Sequence, residues 1–175
     1  MDIADNSEPD SASGSGNWQS IMGVAVVCGS ATIWAWMGAG ALHHGSVVVR
    51  AAAILISVTL LVGRMLTIGR GRYRPVDRRL LRFTIAGEII ALWVMGAALG
   101  HWNQPGLLLP GLAIIVGLHF FPMARAVGIS TYKLTAAAMT LAGIGSLAVT
   151  EPSRTALLGL GCAIILWLTI AVDRR

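Results

Sequence analysis

The 175-residue chain is 55% hydrophobic and only 12% charged, with a mean hydropathy of +0.73, whereas soluble domains carry about 25% charged residues. That composition excludes an ordinary water-soluble domain. The net charge is +5, but Asp2, Asp5, Glu8 and Asp10 fall within residues 1–17 without a base, so the apolar remainder carries +9.

Residues 1–17 are acidic, rich in Ser and Gly, and lack periodic apolar positions. They cannot bury enough surface to offset the entropy of ordering, and read as a disordered cytoplasmic tail. Residues 18–173 read as one transmembrane domain. A membrane helix needs about 20 mainly apolar residues, because ~30 Å of hydrocarbon is crossed at ~1.5 Å per residue. Six runs meet that measure, at about 18–40, 47–68, 80–100, 106–124, 134–150 and 155–172. Arg50 and Arg64 near the ends of the second run can snorkel to an interface. Pro110 interrupts the fourth run and Pro122 closes it, and Glu151-Pro152-Ser153-Arg154 forms the last turn. The expected fold is all-α: a polytopic six-transmembrane-helix bundle.

Lys and Arg in short loops stay on the cytoplasmic side. Arg64, Arg70, Arg72, Arg74, Arg78, Arg79 and Arg82 flank the connection between runs two and three, Arg125 and Lys133 that between four and five, and Arg174 and Arg175 the tail. Only Arg50 and Arg154 lie opposite. Both termini are therefore expected in the cytoplasm. Arg70, Arg72, Arg74, Arg78 and Arg79 would rest against anionic lipid headgroups, at about 1 kcal/mol each. Trp34, Trp36 and Trp102 fall near the predicted outer edges and Trp18 near an inner one, as amphipathic rings prefer.

Gly96 and Gly100 form a small-xxx-small pair that lets helices approach closely, either within the bundle or across a seam between two copies in a homo-oligomer. Cys28 and Cys162 sit inside apolar runs and read as small buried side chains rather than a disulfide framework. The arginines punctuate hydrophobic segments instead of lining one surface, so no nucleic-acid partner is expected.

Ionisable residues within a span are costly and become functional candidates. Glu88 lies six residues inward from Arg82, and His119 six residues inward from Arg125, ~9 Å from the cytoplasmic edge in each case. The midpoint of 88 and 119 also falls inside the His101–Pro105 connection, which places the two at one height in an antiparallel hairpin. Arg64, about one turn nearer the cytoplasm, is another candidate partner. Pro122 has no N–H to give the Leu118 carbonyl, which frees an acceptor beside His119. Acid, imidazole and loose carbonyl are the parts of proton relays and ion sites; the plainer alternative is that Glu88 and His119 only pack the bundle as interhelical polar glue. His43, His44 and His101 lie at outer ends without ligand spacing, so neither a metal nor another cofactor is expected. The chain has no H-E-x-x-H, G-x-S-x-G or C-x-x-C motif, which removes common soluble chemistries.

The stretch Gly117-Leu118-His119-Phe120-Phe121-Pro122-Met123-Ala124-Arg125 resembles a Gly-Leu-His-Phe-x-Pro-Leu-Ala-Arg motif found in a family of small, uncharacterised bacterial integral membrane proteins. Met123 stands where that motif has Leu. An acid in the preceding span, here Glu88, also resembles the family pattern. The resemblance spans about 65 residues from Gly63 to Gly128 and implies a multi-pass protein of the bacterial cytoplasmic (inner) membrane, without supplying an activity. The expected function is a small transporter-like or permeation protein with an intramembrane Glu/His site. The alternatives are a structural or regulatory membrane protein and an intramembrane enzyme using Glu88 and His119 as an acid-base pair, with an arginine as phosphate anchor.

Overall fold

The computed structural model describes residues 13–42, 46–67 and 76–172, with side chains from residue 21 onward in the first stretch. Among these residues it is all-α. The helices are α1 (Ser13–Gly40), α2 (Ser46–Thr67), α3 (Arg78–His101), α4 (Leu108–Val127), α5 (Thr131–Ser146) and α6 (Ser153–Val172), with a 3₁₀ turn at Pro105–Leu107 before α4. All but α5 are long and apolar enough to cross a membrane.

Helix ends follow from local chemistry. Asp77 caps α3: its carboxylate accepts from the N–H groups of Arg79 and Leu80, both at 3.0 Å, satisfying donors that the first turn leaves without partners. Gly128 ends α4 at φ 71°, a left-handed conformation that costs glycine nothing sterically. The Glu151 carboxylate accepts from the Thr155 N–H at 3.3 Å near the start of α6.

Three boundaries differ from the sequence expectation. α1 begins at Ser13 rather than near Trp18, within the polar stretch whose lack of periodic apolar positions placed the start later. Pro110 does not interrupt a helix, because it sits in the first turn of α4, where its missing N–H has no partner to lose. Pro122 does not close α4 either; one backbone bond is lost and the helix continues to Val127.

The bundle is organised around two close pairs, α4 with α5 and α1 with α6, joined through α5 and α6. α2 flanks α1 and touches α6, whereas among the described residues α3 packs only on α4 and the 3₁₀ turn. Close approach is set by glycine. A Cβ on Gly159 would lie 2.5 Å from the Gly38 backbone, and one on Gly117 would lie 2.7 Å from the Thr140 backbone nitrogen. Gly96 and Gly100, by contrast, face open space. The small-residue seams inside the bundle are thus elsewhere than the pair picked out in the sequence.

Small side chains fill the interior, with Ala31, Ala35, Ala113, Ala136 and Ala163 fully covered, while Val47, Leu55, Leu66, Phe83, Trp93 and Leu134 are exposed. This inverts the order of a water-soluble protein and is the arrangement expected of helices that associate by packing within lipid. The chain is therefore a membrane protein by length, composition and surface. Cys28 and Cys162 are buried and free. Trp34 is also buried and belongs to the core rather than an interface.

Candidate functional site

α3 presents a covered stripe of Leu81, Thr84, Glu88, Leu92, Met95 and Leu99, spaced by three or four residues as one helix face requires. Its other face, with Phe83, Ile90, Trp93 and Val94, is exposed. The stripe lies on α4 in an antiparallel register. The Met95 thioether occupies the notch over Gly111, and the Asp77 N–H donates to the Ala126 carbonyl at 2.9 Å. Between these levels, Glu88 Oε2 lies 3.3 Å from His119 Nδ1, with the His119 side chain 9% and that of Glu88 22% exposed.

The contact is close but not aligned. Nδ1 is within ion-pair distance of Oε2, yet the ring N–H direction misses the geometry of a hydrogen bond, and Nδ1 is otherwise buried without one. It is a close approach within ion-pair distance, because distance alone satisfies that and not the stricter directional bond. The other ring nitrogen, Nε2, lies 3.1 Å from Met123 Sδ. The ring stands edge-on to Phe120, which in turn stands edge-on to Tyr132 of α5 at 5.3 Å between centroids. The imidazole is thus fixed on one side by aromatic packing and addressed on both nitrogens.

The remaining sequence candidates are spread out. Arg64 is on α2, which makes no contact with α3, and the ion pair of Glu88 is with His119. Arg82 and Arg125 are exposed. Pro122 is half-buried on α4, three residues past His119. Arg78 and Arg79 are exposed at the start of α3, whereas Arg70, Arg72, Arg74, His43 and His44 lie outside the described residues. His101 is exposed in the last turn of α3.

Two polar features carried no sequence signal. Ser57 of α2 accepts from Trp167 Nε1 of α6 at 2.9 Å and lies 2.8 Å from Thr32 Oγ1 of α1, tying three helices at one buried point. At the opposite end, Arg154 donates from Nε to the Val149 carbonyl at 2.7 Å and from an amino group to the Gly106 carbonyl at 3.2 Å, bridging two turns. Serine, threonine and tryptophan are too common in apolar runs for spacing alone to reveal such a node. Comparison with protein-family models, curated proteins and solved structures found no match to this chain.

Proposed function

We propose that this chain is a six-span protein of the bacterial cytoplasmic membrane that moves protons or a proton-coupled cation, using Glu88 and His119 as its exchangeable site. The observation that carries the reading is the 3.3 Å approach of an acid to an imidazole inside apolar helices. Such groups are retained within a span chiefly where they bind or relay charge.

A sixth crossing is supported by how α5 is held. Its 16 residues cover ~24 Å, and turns running from Leu147 to Val149 add roughly 6 Å at 3₁₀ rise. α5 also lies closely along α4 and against α6, so it follows rods that themselves cross. Six crossings put both ends on one side, and the excess of arginine makes that side cytoplasmic. Arg78 and Arg79, with Arg70, Arg72 and Arg74, then meet anionic headgroups. The motif around His119 supports a bacterial inner-membrane origin by resemblance.

The test is proton flux into proteoliposomes containing the full chain. Glu88→Gln and His119→Ala are each expected to lower flux by about a hundredfold, the low end of what a positioned proton-transfer group contributes. A second reading is favoured by the isolation of α3, which among the described residues packs only on α4 and the 3₁₀ turn: the pair then only clasps this helix. It is supported if both variants keep full flux while α3 becomes more open to hydrogen exchange.

A further inference from the structure

His119 and Met123 are four residues apart on α4 and share one face, with Nε2 3.1 Å from Sδ. Behind the ring stands the Glu88 carboxylate, 3.3 Å from Nδ1. Metal-binding histidines commonly have a carboxylate beside one ring nitrogen while the other faces the ion, and Glu88 stands at that place, within ion-pair distance though without an aligned hydrogen bond. When the ring carries its single proton on Nδ1, Nε2 and Sδ become two lone pairs facing one another with no hydrogen between them. A cation placed there relieves that contact.

The donor set restricts which cation. Thioether sulfur is a soft ligand and imidazole accompanies it in sites for Cu(I). Among the described residues no group of three His, Cys, Asp or Glu is present, so the four ligands of a structural zinc site are not assembled. Charge gives the valence. The single carboxylate beside the site balances a monovalent ion, whereas a divalent ion would leave an uncompensated charge among apolar helices. The flexible thioether can swing to accommodate the ion.

We propose that His119 Nε2 and Met123 Sδ bind a soft monovalent cation, Cu(I) or Ag(I), with Glu88 as the positioning residue. This rests on the reading of the pair as an exchangeable-cation site and names the class of cation.

The test is anaerobic titration of the full chain in detergent with Cu(I), in competition with bicinchoninate. It is repeated on a Cys28→Ala/Cys162→Ala background so that buried thiols do not contribute. One Cu(I) per chain is expected, with affinity reduced by more than about tenfold in Met123→Leu and in His119→Gln, and by about 10–100-fold in Glu88→Gln. X-ray absorption on the unmodified chain is expected to show one nitrogen and one sulfur donor, which keeps the test independent of whether variants fold. Affinity unchanged by Met123→Leu, or a coordination shell lacking thioether sulfur, overturns the proposal. If Glu88→Gln loses proton flux while Cu(I) affinity ignores Met123, this proposal fails and the transport reading stands. If Cu(I) binding depends on Met123 while flux survives Glu88→Gln, the site stands and the transport reading fails.

Discussion

Met95 fills the notch over Gly111, and the register it fixes between α3 and α4 is the one that sets Glu88 against His119 two turns nearer the arginine-rich end. Among the described residues α3 leans on no helix but α4, so steric fit at one level and the Glu88–His119 approach at another together define its place. The same logic of small residues beneath larger neighbours recurs at Gly38 with Gly159.

The two glycine notches should respond differently to a methyl group. At Gly159 the new Cβ meets backbone atoms of α1, which cannot move aside; at Gly111 it meets the end of a flexible methionine. Gly159→Ala is therefore expected to cost about 1–3 kcal/mol, as overpacking does, and Gly111→Ala less than about 1 kcal/mol. Unfolding in mixed micelles checks the order.

Ser57 ties α1, α2 and α6 through Thr32 and Trp167. Interhelical hydrogen bonds in membranes average about 0.6 kcal/mol and reach about 1.7 kcal/mol. Ser57→Ala is expected to destabilise by about 1–2 kcal/mol on that scale. A double-mutant cycle with Trp167→Phe should show a coupling of about 0.6 kcal/mol, against none if the two merely sit close.

Asp77 caps α3 and anchors its start to the end of α4 through its own N–H. Asp77→Ala removes the cap but not the backbone bond, at an expected cost of about 0.5–2 kcal/mol, whereas Asp77→Asn should retain most of the stability. Faster hydrogen exchange at Arg79 and Leu80 is the accompanying signature.

The sixth crossing is checked by labelling. Ser130 and Thr150 are exposed at opposite ends of α5, and the native cysteines are buried, so single cysteines introduced there report cleanly. Thr150→Cys should react with an impermeant thiol reagent in intact cells and Ser130→Cys only after the inner face is opened. Reaction of both from one side would mean α5 does not cross.

Much of this architecture was legible because a membrane span is a one-dimensional property: hydropathy and length locate α2, α3 and α6 to within two residues at each end. The height match of Glu88 and His119 was also readable, since it depends only on counting from the turn. Their facing was not, because rotation of a helix about its axis is set by which notch receives which side chain, here Met95 over Gly111. Prolines misled at Pro110 and Pro122 because the cost of a missing N–H depends on position within the helix. The Gly96–Gly100 pair makes no close approach within the chain, for a related reason: small spacing marks a face able to pack, and only the neighbouring helix decides whether it does.

The most direct measurement of the central claim is a double-mutant cycle in proteoliposome proton flux with Glu88→Gln, His119→Ala and the combined variant. Groups that act as one unit lose their effect together, so each single variant is expected to abolish most of the flux and the combined variant to be no worse than either. Flux retained in the single variants, or losses that multiply in the double, would contradict a shared site.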